Sequence, residues 1–240
     1  MTRRRTAAGG GVVVEVAPDR LVGWVNRFGG RNAGLLDVRT DGDTVTVDAG
    51  DGTTAVLAVP FGPMVVRDVE PVEALLAHLS GIGAVGIVLV RGGAHSVGVA
   101  RDRVVLSSST DRAYLQGRTA AGGWSQQRFA RRRGNQRSAS YDSAAATVAK
   151  VLLPVASSLS GLVLGGDRAG LADVLGDARL ARLSDLAVRS FPDIPEPRRA
   201  VLDEVAARAL SIEITVRSPA SEVTSQTTNA PHQQGEGTPP

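Results

Sequence analysis

At 240 residues, of which 42% are hydrophobic and only 3% aromatic, the chain is expected to form one or two domains with an aliphatic core. The formal net charge is +3, and Lys150 is the only lysine among 27 basic residues, so arginine supplies nearly all of the positive charge. The absence of cysteine excludes disulfides, thiolate metal ligands and a cysteine nucleophile.

The first elements predict a small α+β module. Residues 11–16, GVVVEV, are typical of a strand. Apolar residues at helical spacing follow, with Pro18 suited to the start of a helix and the pair Gly29 and Gly30 suited to its end. Three short strands are then expected between residues 35 and 60, separated by the turn signals DGD and GDG.

The remaining elements predict a larger α/β domain. A short amphipathic helix over residues 70–79 precedes three strand patterns, AVGIVLVRGG, HSVGVARD and RVVLSSSTDRAYL. After an arginine-rich stretch, a helical pattern ends just before Pro154. Then follow a buried-type strand (LSGLVLGG), a helix (DRAGLADVLGD), a strand (RLSDLAVRSF), a helix (EPRRAVLDEVAARAL) and a closing strand (SIEITVR). This order predicts an α/β fold, α+β overall, with a mixed β-sheet flanked by helices in three layers.

The chain is therefore predicted to have four parts. These are a flexible N-terminus (1–9), a small α+β module (10–69), an α/β catalytic domain (70–217) and a polar, aperiodic tail that we expect to be disordered (218–240). No apolar stretch approaches the roughly 20 residues of a membrane span, and the N-terminus does not resemble a signal peptide. We expect a cytoplasmic protein without membrane contact.

Few residues offer conventional catalytic or metal-binding chemistry. His78 falls on the short helix, His95 in a strand turn and His232 in the tail, without metal-ligand spacing, so structural or surface roles are expected. No G-x-S-x-G motif indicates a hydrolase triad. The segment GGDRAG lacks the end of a phosphate-binding loop and predicts a tight strand-to-helix turn with Asp167 as the N-cap.

Acidic pairs in the first module fall in turn signals. Asp41 with Asp43, and Asp48 with Asp51, are explained by turn chemistry without any catalytic role.

The strongest charge feature is the window of residues 112–141, which contains seven arginines and no acidic residue. A helix that starts near Ser125 would carry Arg128, Arg131 and Arg132 on one face, with Arg133 on its flank. Such a face could contact phosphates. A solvated helix face explains the charge equally well when charge is considered alone.

The loop before this helix has chemistry of its own. GRTAAGG, residues 117–123, has no apolar anchor and is expected to be exposed, and its glycines allow a close approach of the backbone to a ligand. Glutamine cannot abstract a proton efficiently, but its amide can orient water and stabilise a developing oxyanion. The residues thus favour arginines that hold a nucleic-acid backbone and a glutamine that positions water at an activated ester.

The segment from about Gly117 to Gly134 resembles the catalytic loop of the Vms-like release factors, in their actinobacterial branch. These peptidyl-tRNA hydrolases carry Gly-x-x-Gln, which reads here Gly123-Trp124-Ser125-Gln126, and RFAR at 128–131 is similar to the basic helix that follows. They are related to the middle domain of eukaryotic and archaeal class-1 release factors, which carry Gly-Gly-Gln. The resemblance implies a family domain over about 83–217 with a release-factor middle-domain-like mixed sheet.

The resemblance also implies roles for residues. Gln126, with Gly123, would promote hydrolysis of the ester between nascent peptide and tRNA on stalled or split large ribosomal subunits, without metal or cofactor. The catalytic loop, 117–127, would include Gly122, Trp124, Ser125 and Gln127; the motif register favours Gln126 over Gln127. The partners would be the large subunit, peptidyl-tRNA and rRNA. The expected RNA contacts are Arg118, Arg128, Arg131, Arg132, Arg133 and Arg137.

Two alternatives stay open from the sequence. A non-catalytic ribosome-binding or RNA-binding module would need the arginines but not Gln126. A ribonuclease would need clustered carboxylates for a metal, or a histidine pair, and neither is found near the loop.

Overall fold

The computed structural model describes residues 4–7, 10–66, 68–112 and 125–219, and within 125–135 it describes the backbone alone. Eleven strands and five α-helices lie in these ranges. The strands are β1 (Arg4–Thr6), β2 (Val12–Val16), β3 (Leu35–Thr40), β4 (Thr44–Ala49), β5 (Thr54–Ala58), β6 (Ala84–Arg91), β7 (Ala94–Arg101), β8 (Val104–Arg112), β9 (Leu159–Gly166), β10 (Val188–Phe191) and β11 (Ile212–Arg217). The helices are α1 (Leu21–Arg31), α2 (Pro71–Gly81), α3 (Ser125–Leu152), α4 (Arg168–Leu175) and α5 (Arg199–Arg208).

Six strands form the first sheet, in the order β1-β2-β11-β5-β4-β3, with every neighbouring pair antiparallel. The interpretation of SIEITVR as the strand that closes the second domain is wrong, because β11 lies in the middle of this first sheet. Ile214 is in register with Val14 of β2 on one side and with Leu57 of β5 on the other. Ile212 and Ile214 are fully buried there, which satisfies their alternating pattern.

The second sheet has the order β10-β9-β6-β7-β8. β6 is parallel to β9, and β9 to β10, whereas β6, β7 and β8 are joined by antiparallel pairing. The predicted mixed sheet flanked by helices is thereby confirmed. The predicted boundary near residue 70 stays a prediction, since β11 returns to the first sheet and one apolar core joins the two sheets.

Both faces of the second sheet are covered by other parts of the protein, because successive side chains of β6 belong to two different cores. Ile87 and Leu89 join a core with Leu202 of α5 and the first sheet. Val88 and Val90 face the opposite way and join a second core with α3 and α4. A strand buried on both faces is apolar without alternation, which explains the continuous run AVGIVLV.

Two element ends differ from the sequence interpretation. α1 continues through Gly29 and Gly30 to Arg31. Gly29 packs so closely that an added Cβ would lie 2.8 Å from Cγ of Leu35, so this glycine serves packing rather than termination. In the predicted strand RLSDLAVRSF only Val188–Phe191 is extended, and a 3-10 helix covers Ala178–Leu183.

Candidate functional site

The expected catalytic loop leaves the second sheet at one edge, which we call the carboxyl edge. β6 and β9 both end there, with Val90 in register with Gly166. β8 ends at the same level, because Arg112 is in register with Ala94, the first residue of β7. Residues 113–124 follow and include the predicted loop residues Gly117, Arg118, Gly122, Gly123 and Trp124, which lie outside the described residues.

The chain re-enters the described structure as α3, a helix of 28 residues. Its start at Ser125 confirms the helix expected there. α3 runs antiparallel to β6, because Ser140 lies beside Gly93, just after β6, while Leu152 packs over Gly86 within it. The amino-terminal half of α3, residues 125–139, therefore extends past the carboxyl edge, and we call this half the stem.

The tip of the stem, at Ser125, lies far from its anchor, the point at Ser140 where α3 is first buried against the sheet. Burial on α3 begins at Ser140, which is 4% exposed, and continues at Ala144, Ala145, Val148 and Leu152. Between Ser125 and Ser140 the helix rises about 22 Å, at 1.5 Å per residue. Gln126, the second residue of α3, thus stands about six helical turns from the middle of the buried face at Val148.

The hydroxyl of Ser140 fixes the base of the stem to the sheet. Its Oγ donates a hydrogen bond of 3.1 Å to the carbonyl oxygen of Gly93 in the β6–β7 turn. The same turn is held from a second direction, because the backbone N–H of Gly92 donates to Oδ2 of Asp167 over 3.1 Å. Asp167 occupies the N-cap position of α4, as expected, but its side chain makes no capping hydrogen bond and serves the turn instead.

Tyr141 packs the stem base against α4. A Cβ added to Gly170 would lie 3.0 Å from Cε1 of Tyr141, so the glycine lets the ring approach the helix backbone. Burial raises the pKa of the Tyr141 phenol, and Asp167 and Asp173 act in the same direction against Arg137. The phenol is consequently a neutral packing group at physiological pH.

His95 lies beneath α3 and is not in a turn, which corrects the sequence interpretation. It is a residue of β7 and only 2% exposed. Thr147 donates its hydroxyl proton to the carbonyl oxygen of Ser143, so its Oγ1 accepts a proton from Nε2 of His95 over 3.0 Å. This assigns the Nε2–H tautomer and leaves Nδ1 without a partner among the described residues.

The charge of His95 is set by two opposing effects. Burial lowers its pKa, and Asp111, its cross-strand neighbour at the end of β8, acts in the opposite direction. A buried, neutral imidazole therefore lies directly beside Asp111, near the end of the strand that leads to the expected catalytic loop.

The arginines of the 112–141 window are not equivalent. Arg112 forms an ion pair of 3.1 Å with Glu196, which lies just before α5, so part of its charge is already compensated. Arg137 is exposed on the stem. The side chains of Ser125, Gln126, Gln127, Arg128, Arg131, Arg132 and Arg133 lie outside the described residues, and the roles assigned to them stay predictions.

The backbone of the stem adds a positive field. The first four N–H groups of an α-helix have no partner within the helix, and the aligned peptide dipoles place partial positive charge at that end. The first turn of α3 contains no acidic residue that would offset this charge. The amino terminus of α3 is therefore suited to an anionic partner.

The described residues offer neither a metal site nor a membrane-spanning helix. Among them, no group of three or more His, Asp or Glu side chains is arranged to hold a metal ion. None of the helices in the described ranges combines the length and the hydropathy that crossing a membrane requires. His78, on α2, donates from Nε2 to the carbonyl oxygen of Pro60 over 3.0 Å, a structural role, and His232 lies outside the described residues.

A family model described as "Actinobacteria/chloroflexi VLRF1 release factor" matches residues 83–215, which is more than half of the chain. The chain belongs to this family. Membership confirms the resemblance to Vms-like release factors and gives the chain a role related to translation. The matched range includes the whole second sheet, the loop, α3 and most of β11.

Three solved structures illustrate the similarity of the chain to known folds. "Vms1 mitochondrial localization core" is 12% identical, with 81% of this chain and 82% of that chain covered and a TM-score of 0.42. The archaeal translation termination factor aRF1 is 15% identical, with 68% and 51% covered and a TM-score of 0.30. Dom34 of S. cerevisiae, described as a translation termination-like factor, is 10% identical, with 85% and 66% covered and a TM-score of 0.29. The comparison with curated proteins found no match.

Sequence reasoning missed the residues that anchor the stem of this VLRF1 family member. Ser140 and Thr147 are polar and therefore did not count toward the apolar face of the helix. Their spacing of seven residues, two helical turns, places them on the same face as Ala144 and Val148, and this pattern is the signal that could have identified them.

Proposed function

We propose that this chain is a peptidyl-tRNA hydrolase that acts on large ribosomal subunits and cleaves the ester between a nascent peptide and tRNA. The observation that carries the proposal is the position of the motif in the chain. Gly123-Trp124-Ser125-Gln126 coincides with the start of α3, and the stem there extends past the carboxyl edge of the second sheet. The motif and the family membership both support a release reaction.

Gln126 supplies an amide at the reacting centre. Its carbonyl oxygen can accept from an attacking water, and its NH₂ group can donate to the developing oxyanion. Gln126 and Gln127 also lie within the first turn of α3, where backbone N–H groups have no intrahelical partner. Donors that are fixed before the reaction stabilise a tetrahedral intermediate without reorganisation.

The reaction balances without any further group. The oxygen of water forms a bond to the ester carbonyl carbon, and the bond from that carbon to the ribose oxygen of tRNA breaks. The peptide leaves as a carboxylic acid, and the ribose oxygen takes up a proton that water has given up. Glutamine remains unchanged, so it orients and stabilises without acting as the base.

The stem provides reach and charge. A tip that stands about 22 Å along the helix axis from its anchor can enter a narrow cavity, while the bulk of the protein remains outside. Arg128, Arg131, Arg132 and Arg133 follow Gln126 within two turns, in a window free of acidic residues. Arginines near a helix amino terminus are repelled by the positive end of the helix dipole, which destabilises the free protein. Phosphates bound there would attract both the arginines and the helix terminus, and would therefore favour the complex.

The test is single-turnover release of labelled peptide from large subunits that carry peptidyl-tRNA. Gln126→Ala is compared with the wild type and with Gln127→Ala, which removes the same side chain one position later. We expect Gln126→Ala to lower the release rate at least about a hundredfold, the size of effect seen when one oxyanion donor is lost. Co-sedimentation with subunits should be unchanged in both variants.

A non-catalytic RNA-binding module would give a different result in the same release and binding measurements. It would give no release by any of the three proteins, with binding that depends on the arginines alone. Loss of release in Gln127→Ala with normal release in Gln126→Ala would transfer the catalytic role to Gln127. Equal release by all three proteins would overturn the proposal for both glutamines.

A further inference from the structure

A cavity of about 720 Å³ lies where β1, β2 and β11 of the first sheet meet β10, the edge strand of the second. β2 and β11 contribute Glu15 and Glu213, and β10 contributes Arg189 and Phe191. Phe191 belongs to the core shared with α5 and the first sheet, so the cavity lies on the face of the second sheet opposite α3. Nothing in the proposed release reaction uses it.

Three carboxylates line the cavity. Those of Glu15 and Glu213 are already compensated, and Asp193 is exposed. Glu15 and Glu213 are directly opposite each other on neighbouring strands, an arrangement that is unfavourable for like charges. Arg208 binds Glu15 through two nitrogens, at 2.7 and 3.0 Å. Arg5 binds Glu213 at 2.8 Å. Each glutamate thus has its own arginine.

Arg189 is one of four arginines that line the cavity, and it is bonded differently from Arg5 and Arg208. Its Nη1 donates to the carbonyl oxygen of Ala209 over 3.1 Å. Among the described residues, no carboxylate lies within ion-pair distance of it, and no acceptor engages its Nε and Nη2 atoms. The edge of the guanidinium that binds carboxylate or phosphate in a bidentate manner is therefore available.

The surroundings make this cation costly to keep unpaired. Burial lowers the pKa of Arg189 to about 10, although Glu15 and Glu213 act in the opposite direction. Its Cζ lies 5.0 Å from the ring centroid of Phe191, and Cζ of Arg208 lies 4.6 Å from the same ring. Arg189 is half-buried, and a cation partly withdrawn from water is stabilised most by an anion placed against its free hydrogen-bonding edge.

We propose that this cavity binds a small organic anion, with one carboxylate or phosphate on Arg189 and an apolar body against the cavity wall. The body would contact Val13, Phe61 and Phe191, which line the same space. The volume is within the range of small-molecule sites. Carboxylate and phosphate share the chemistry that a guanidinium fork recognises.

The experiment measures binding of three probes to the full chain by isothermal titration calorimetry: benzoate, phenyl phosphate and inorganic phosphate. Saturable binding of benzoate or phenyl phosphate is expected, and the tighter of the two identifies the anionic group. Arg189→Gln should lower that affinity at least about tenfold, because it removes a charge-assisted bidentate contact. Arg182→Gln, at an exposed arginine on the 3-10 helix, should bind as the wild type does.

A second pair of variants avoids any dependence on the folding of Arg189→Gln. Ser190 is an exposed residue of β10 that lines the cavity. Ser190→Glu places a carboxylate beside the cavity and should abolish binding of the anion, whereas Ser190→Gln, of the same size, should retain it. Absence of saturable binding to the wild type, or equal binding by the Glu and Gln variants, would overturn the proposal.

Discussion

Ser140 and Gly93 are joined by a hydrogen bond of 3.1 Å at the point where the stem leaves the body of the protein. Both residues are buried, so the carbonyl oxygen of Gly93 has no access to water that could replace the serine hydroxyl. The contact ties the helix that begins with Gln126 to the turn between β6 and β7.

Removal of this hydroxyl should weaken the junction measurably. Ser140→Ala is expected to lower the free energy of unfolding by about 1 kcal/mol, because it leaves a buried carbonyl unsatisfied. Ser138→Ala, at an exposed position two residues earlier on the same helix, removes the same atom without that loss. Urea denaturation of the two variants measures the difference, and equal stabilities would show that the contact does not stabilise the fold.

The tight turn between β9 and α4 should tolerate no side chain. Gly166 has φ of +103°, and an added Cβ would lie 2.1 Å from the carbonyl oxygen of Val90. Gly166→Ala is therefore expected to destabilise the protein by about 3 kcal/mol, from backbone strain and overlap together. The matched variant is Gly81→Ala, where an added Cβ meets nothing within 4 Å, and it should be neutral or slightly stabilising. Thermal unfolding followed by circular dichroism distinguishes the two.

His95 should make the protein sensitive to mild acid. Its pKa in the folded state is lowered from the usual 6.5, mainly by burial. The unfolded chain therefore binds more protons than the folded chain below about pH 6.5, so stability is present above that pH and is lost as the pH falls. Asp111 opposes this effect and limits its size.

The measurement is the free energy of unfolding between about pH 7.5 and 5.5, taken for the wild type and for His95→Gln. Glutamine can still donate to Thr147 but does not titrate, so its profile should be flatter. A wild-type slope that persists in His95→Gln would assign the acid sensitivity to other groups.

The stem arginines should determine how strongly ribosome binding depends on salt. Arg131→Gln together with Arg132→Gln is expected to reduce the slope of log affinity against log salt by about 1.5 to 2, if each arginine contacts one phosphate. Arg27→Gln together with Arg31→Gln removes two arginines on α1, four residues apart, and should leave the slope unchanged. Co-sedimentation with large subunits over a salt series provides the slopes. Equal slopes for the two double variants would exclude a specific role for the stem.

Several elements could be predicted because their signals are local. The run AVGIVLV predicts a strand, and the structure has this strand in the middle of the mixed sheet, buried on both faces. The helix that starts at Ser125 was expected from the residues around it, although its continuation as one helix to Leu152 was not. The motif at Gly123 to Gln126 identified the family from four residues and their arginine-rich neighbours.

The place of β11 could not be predicted, because strand pairing joins residues that are distant in the chain. The alternation of Ile212 and Ile214 is compatible with an edge position in the second sheet or a central position in the first. The sheet that β11 joins depends on the strands available to pair with it. β2 and β5 are two antiparallel neighbours for β11 in a common core. Sequence order alone favoured the nearer sheet.

The sequence by itself thus determines which residue types form the candidate site. A glycine loop, an amide and a block of arginines can be recognised without knowledge of any long-range contact. Tertiary structure decided the rest. It buried His95 under α3, turned Asp167 toward Gly92 and left one edge of Arg189 facing a cavity between two sheets. Hydrogen-bond partners and burial depend on residues that folding brings together, so only the folded chain determines which charges are compensated and which are available to a ligand.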